Sequence, residues 1–179
     1  MRFFLTDRVT AIDAESATAL KTVSLAEEYL KEHFRTVPVL PGVMEIEGLT
    51  QLGGWWIRAI HGYDGAEFVS LRKLQNVRYG RFVRPGETIE YRVQLRSHEG
   101  TQYLFDATAE ISDHSEKVLS ARLTLETSTP SDPEVGAAMR NRQRTFFECC
   151  LWRGESLPVH DKVGKTQERR RSLVANCLS

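Results

Sequence analysis

Residues 2–12 and 16–24 are rich in β-branched side chains and partly alternate apolar with polar positions, which predicts two paired strands with a turn around Asp13 to Glu15. Ser24, followed by L-A-E-E-Y-L-K-E with Glu27 three residues on, predicts a capping box that opens a short helix of about two turns. Two prolines and the lack of either periodicity make Arg35 to Pro41 a loop. From Gly42 to about Ile60 the residues Val43, Ile46, Leu49, Gly53, Trp56 and Ile60 recur at three- and four-residue steps. Leu52, Trp55 and Ile57 extend the apolar surface almost round that helix, which suits a helix wrapped by a sheet better than one lying on a surface. His61 and Gly62 end it, with Gly62 just past the last helical turn. Four more strands are predicted at Phe68 to Arg84, Thr88 to Arg96, Gln102 to Ile111 and Val118 to Glu126, with turns at Pro85-Gly86 and His98 to Thr101. After Leu125 the pattern changes: T-S-T-P-S-D-P reads as a linker and Glu134 to about Phe147 as a basic amphipathic helix, while the polar tail beyond Gly154 carries no pattern. There are no internal repeats.

Composition narrows this to an α+β chain of 179 residues, 41% hydrophobic and 27% charged, with one globular domain over residues 1–128 and an appendage over 129–179. A formal net charge of zero removes any global electrostatic case for nucleic acid or an anionic membrane surface. No apolar run approaches the roughly 20 residues of a membrane span, and the start M-R-F-F-L-T-D-R lacks the long apolar stretch of a signal peptide, so a cytoplasmic location is expected. Cys149, Cys150 and Cys177 all fall in the last fifth without metal-ligand spacing, and no H-E-x-x-H, G-x-G-x-x-G or P-loop occurs, so neither a metal nor a cofactor is expected.

The candidate chemistry is concentrated in the run H-F-R-T-V-P-V-L-P-G-V-M-E-I-E-G-L-T-Q over residues 33–51. His33 carries the side chain whose ordinary pKa lies nearest neutrality, and Glu47, set in an apolar helix, is expected to be buried with a raised pKa, as suits a general acid. Gln51 lies four residues further on the same helix face and can orient the Glu47 carboxyl. Pro41 and Gly42 open the helix, so the N–H groups of Gly42 and Val43 could hold a developing oxyanion. Glu45 points about 200° away from Glu47, cannot form a dyad with it, and is expected to face solvent or an interface. His61, His98, His114 and His160 read as structural, and Trp55 and Trp56 as core or dimer packing.

The order His33, Phe34, a Pro-Val-Leu-Pro-Gly-Val turn over residues 38–43 and Glu47 resembles the 3-hydroxyacyl-ACP dehydratases of the FabZ/FabA type. F-F-L-T-D-R-V-T at 3–10 resembles the first strand of that family, and Asn76 to Tyr79 with Arg81 to Glu87 resembles the strand and turn that follow its central helix. The resemblance covers about the first 128 residues and implies a hotdog fold, an antiparallel sheet wrapped around a central helix, here with a C-terminal helical extension. It implies a homodimer or trimer of dimers with the site between protomers, and dehydration of a (3R)-3-hydroxyacyl-ACP to a trans-2-enoyl-ACP in fatty acid or related lipid biosynthesis. His33 of one subunit would remove the C2 proton, Glu47 of the other would protonate the departing C3 hydroxyl, and Gly42 and Val43 would polarise the thioester carbonyl. The implied partner is an acyl carrier protein, for which Arg78, Arg81 and Arg84 are the docking candidates. Arg35, Val37, Glu45 and Gly48 depart from the family pattern. Two other readings remain open: a hotdog hydratase or thioesterase acting on coenzyme A thioesters, and a non-catalytic acyl-binding or partner subunit.

Overall fold

The structure, a computed structural model, describes residues 4–152. Strands β1 (Arg8–Ile12) and β2 (Ser16–Thr22) form the expected hairpin, its turn closed by Asp13, whose carboxylate accepts the N–H groups of Glu15 at 2.8 Å and Ser16 at 2.7 Å. With β3 (Phe68–Tyr79), β4 (Thr88–Glu99), β5 (Gln102–Ile111) and β6 (Glu116–Ser128) they make one antiparallel sheet in the order β1-β2-β4-β5-β6-β3. Helix α1 (Gly42–Ile60) packs against β2, β3, β4, β5 and β6, the sheet-around-helix arrangement expected of a hotdog fold.

Period-two alternation carries one face of the sheet into the core: Ile89, Tyr91 and Val93 of β4, Phe105, Ala107 and Ala109 of β5, and Leu123 and Leu125 of β6 are all buried. Small residues on that face let the helix approach. A Cβ on Gly48 would lie 2.7 Å from the Tyr91 ring, so glycine is required there for contact rather than merely tolerated at a helix-propensity cost.

Four elements differ from the sequence pattern. Strand β1 begins at Arg8 rather than residue 2, the described residues 4–7 forming an irregular arm whose Leu5 N–H bonds the Gln51 side chain instead of a strand. The helix expected after Ser24 is a short 3-10 turn, Glu28–Lys31, without a capping box, because the Glu27 carboxylate reaches instead for the buried Lys21 ammonium at 2.6 Å. Strand β3 stops at Tyr79 rather than Arg84: Gly80 passes the Lys117 carbonyl at a distance only a residue without a Cβ allows, and the chain then turns inward to bury Val83 completely. Helix α1 has the expected bounds and ends at Gly62 with a positive φ of 64°, but Val43, assigned to its apolar face, is 68% exposed.

The C-terminal helix α2 (Pro133–Phe146) is capped by Asp132, which accepts the N–H of Glu134 at 2.8 Å, and continues into one π-turn, Phe147–Leu151. Arg140 pairs with the buried Glu67 carboxylate and with Asp64 at 3.3 Å, Gln143 donates to the Glu67 carbonyl at 2.8 Å, and Arg144 donates to the Gly62 carbonyl at 2.7 Å. Phe147 is fully buried among Trp55, Tyr63 and Trp152, and Trp152 makes a parallel bridge to Val9. The tail expected beyond Gly154 and His160 lie outside the described residues. Phe147→Ala is expected to lower unfolding free energy by about 3–5 kcal/mol in a urea titration, the cost of emptying a large core site; a loss under about 1 kcal/mol contradicts this packing.

Candidate active site

His33 is half-buried in the loop before α1, its ring stacked on Phe34 with centroids 4.3 Å apart. Its Nδ1 lies 3.0 Å from the Val39 carbonyl oxygen. A carbonyl can only accept, so Nδ1 carries a proton, and in the neutral ring the lone pair is then on Nε2, the tautomer required of a base acting through Nε2. The loop is itself held in place: the Val39 N–H returns to the His33 carbonyl at 2.9 Å, and the Leu40 N–H donates to the Val83 carbonyl at 2.9 Å. Arg35 turns outward to Glu32 at 3.2 Å and Val37 is exposed.

The loop leads directly into α1. Its first hydrogen bonds run from Met44 and Glu45 to the Pro41 carbonyl at 2.8 and 3.4 Å, so the N–H groups of Gly42 and Val43 precede the helical ladder and can face an incoming anion. A Cβ on Gly42 would come within 2.5 Å of Tyr79 Cε1, so the bare backbone lets that ring close over the helix start. Tyr79 was not evident as a site residue from the sequence, because only the fold brings the end of β3 onto residue 42.

Glu47 and Gln51 meet as the four-residue spacing predicts, Gln51 Nε2 donating to Glu47 Oε1 at 3.0 Å. The Leu5 N–H donates to Gln51 Oε1 at 3.0 Å, which fixes the orientation of the amide. Glu47 is exposed on the single chain, contrary to the buried carboxyl expected at this position. The buried carboxyl is Glu45, 2% exposed and with no hydrogen-bond partner for Oε2. Apolar periodicity cannot assign a charged residue to the core, yet Glu45 shares its helix face with Gly48, Leu49, Leu52 and Trp56, and that face meets the sheet.

The remaining expectations divide. Trp56 is core, its Nε1–H donating to the Asp13 carbonyl at 3.0 Å, whereas Trp55 is half-buried against Phe146 and Phe147 of the C-terminal segment. Arg81 does not join Arg78 and Arg84 in a free basic cluster: it is committed to Glu87 at 2.5 Å and Glu116 at 2.7 Å, while the other two are exposed. His61 and His98 meet around Tyr103, the Tyr103 hydroxyl 2.8 Å from His61 Nε2 and its ring stacked on His98 at 4.1 Å. Among the described residues no group of three or more His, Cys, Asp or Glu side chains could hold a metal ion, and no helix is long and apolar enough to cross a membrane.

Residues 1–122 match the FabA-like domain. Similar curated proteins include the 3-hydroxyacyl-[acyl-carrier-protein] dehydratase FabZ of Campylobacter fetus, 32% identical over 122 residues that cover 62% of this chain and 79% of that one. The FabZ of Wolinella succinogenes is 33% identical over 119 residues, covering 62% and 78%. Among solved structures, the dehydratase heterocomplex ApeI:P from Xenorhabdus doucetiae superposes with a TM-score of 0.57 at 18% identity, covering 76% of this chain and 89% of that one. A Streptococcus mutans protein bound to acetyl CoA superposes with a TM-score of 0.53 at 13% identity, covering 72% and 93%. Both share the fold.

Glu45 has a measurable consequence. Burial pushes its carboxyl from 4.5 up to about 8. Between these values the folded protein keeps a proton that the unfolded chain has released, so stability falls as pH rises from about 4.5 to 8 and levels off above that. The total is on the order of 5 kcal/mol. Urea unfolding of the parent and Glu45→Gln across this range is expected to give a parent that weakens with pH relative to the variant; identical pH dependence of the two contradicts the buried, unpaired carboxyl.

Proposed function

The chain belongs to the FabA-like domain family, and we propose that it dehydrates (3R)-3-hydroxyacyl thioesters carried on acyl carrier protein to trans-2-enoyl thioesters, in fatty acid or related lipid biosynthesis. The observation that carries the reading is the hydrogen bond from His33 to the carbonyl of Val39, three residues before the open helix start at Gly42, which holds the imidazole with Nε2 as its basic atom. Relatives that bear the name of this dehydratase over most of their length support the same chemistry.

In the proposed mechanism the thioester carbonyl oxygen accepts from the N–H of Gly42, with Val43 adjacent, so the negative charge that develops when a C2 proton is removed falls on fixed donors at the positive end of α1. His33 Nε2 takes that proton. Glu47 from the partner protomer donates a proton to the C3 hydroxyl, the C3–O bond breaks, water leaves, and the electron pair from the C2–H bond becomes the C2–C3 double bond. The imidazolium and the carboxylate then exchange their proton through solvent, restoring the starting forms.

Placing the two groups on different subunits accords with their environments. His33 is anchored within its own loop, Glu47 stands exposed on the helix with Gln51, and Phe34, Val37, Val43, Tyr79 and Phe82 around the helix start are all exposed apolar surface, of a kind that a second copy would cover. That copy would also supply the desolvation a general acid at Glu47 needs, which the single chain does not. Arg78 and Arg84, both exposed beside this opening, remain the basic groups able to meet an acidic carrier protein.

Purified protein mixed with a trans-2-enoyl-ACP is expected to show the absorbance loss of hydration, and with a 3-hydroxyacyl-ACP the reverse. His33→Ala and Glu47→Gln, each folded, should lower kcat by roughly 10²- to 10⁴-fold. Parental turnover in either variant contradicts the assignment of that residue, and equal turnover of the coenzyme A thioester contradicts the carrier-protein preference.

A further inference from the structure

The C-terminal segment lies beyond the residues that match the family, yet its last helical turn reaches the hydrogen-bond chain that ends on Glu47. Phe146 stacks on Phe4 with ring centroids 4.7 Å apart and 27° between planes, and it packs against Trp55 at 6.0 Å. Phe4 immediately precedes Leu5, whose side chain is buried and whose N–H holds Gln51 Oε1. Gln51 in turn holds Glu47 Oε1. Glu47, Gln51 and Trp55 follow one another at four-residue steps on α1, so Phe146 braces the arm that crosses this stripe and the stripe's far end together. Phe146 is in a position to brace both because it is itself fixed: Arg140 and Gln143 tie α2 to Glu67, Arg144 ties it to Gly62, and the next residue, Phe147, is fully buried.

We propose that Phe146 is a positioning residue for the general acid, acting through Phe4, Leu5 and Gln51; this rests on the assignment of Glu47 as that acid. The argument is one of donors and acceptors. A glutamine amide has a donating end and an accepting end, and a half-turn exchanges them. With the Leu5 N–H in place, Oε1 is taken and the NH2 group must face Glu47, where it bonds one carboxyl oxygen and leaves the other to carry the proton that goes to substrate. Release of the arm removes that constraint. The flipped amide then accepts the Glu47 O–H, and the proton is held within the helix instead of being presented to the C3 hydroxyl. Binding of the thioester at Gly42 is untouched by this change, so the loss falls on the chemical step.

The test compares kcat and KM for enoyl-ACP hydration in the parent, Phe146→Ala, Phe146→Tyr, Phe4→Ala, Arg144→Ala and Glu47→Gln. Phe146→Ala is expected to lose roughly 10- to 100-fold in kcat with KM within about twofold of the parent, as befits a displaced catalytic group. Phe146→Tyr, which keeps the stacked ring, should restore kcat. Arg144→Ala removes one tie while Arg140, Gln143 and the buried Phe147 still hold α2 and its stack in place, so it should leave kcat unchanged. Phe4→Ala removes the other half of the stack from an exposed position, should lose kcat to the same degree, and decides the matter if Phe146→Ala does not fold. Parental kcat in Phe4→Ala, or an equal loss in Arg144→Ala, overturns the positioning role while Glu47→Gln stays inactive. Parental kcat in Glu47→Gln itself overturns the assignment of the acid on which it rests.

Discussion

Helix α1 lies against the sheet at a distance that only absent side chains permit: the Tyr91 ring occupies the place of a Cβ at residue 48, Leu125 that of one at residue 53, and Tyr79 that of one at residue 42. Close packing of this kind leaves the helix a single rotational setting. The setting turns Glu45, Leu49, Leu52 and Trp56 into the core, leaves Val43 and Glu47 exposed, and puts Gln51 between them and the N-terminal arm. It also leaves the opening N–H groups of Gly42 and Val43 ahead of the helical ladder, directly after the loop that carries His33. The site therefore follows from how the helix is seated.

The same seating separates two carboxyls that stand two residues apart. Glu45 is sealed under the sheet, and burial alone, with no charged partner, raises its pKa to about 8, so it is protonated at neutral pH. Glu47 remains on the surface of the chain, tied to Gln51. A buried acid in the core and an exposed carboxyl at the rim arise from one helix by a rotation of about 200°. The close approach of Tyr79 and Tyr91 to Gly42 and Gly48, one helical turn on either side of Glu45, gives that buried acid aromatic neighbours. Substitution at either glycine would push the helix out of register with the sheet and move both carboxyls together.

Much of this was legible in the residues. Alternation located all six strands, although β1 starts six residues later and β3 ends five residues earlier than the pattern, the three- and four-residue rhythm gave α1 its bounds, and His33, Gly42, Glu47 and Gln51 stood out by spacing. What was not legible depended on tertiary contacts. Glu27 had the position of a capping residue, but a buried lysine six residues earlier, in β2, offered a stronger partner at the level of the fold than a helix end did. Arg81 looked like one of three surface cations until Glu87 and Glu116 came to lie beside it. Glu45 and Glu47 exchanged their expected environments because periodicity ranks residues by polarity, and the core here contains a polar one. The contribution of Phe146 could not be read at all, since a ring in a helix 142 residues from Phe4 in sequence touches it only after the chain has folded.

The central claim, a site shared between two protomers, is tested most directly by mixing folded His33→Ala and Glu47→Gln proteins under conditions that allow subunit exchange, then assaying dehydration. In a shared site each mixed dimer regains one intact pair, and random assortment is expected to restore about a quarter of parental activity. Mixed dimers demonstrated by mass spectrometry with no recovery of activity would contradict it.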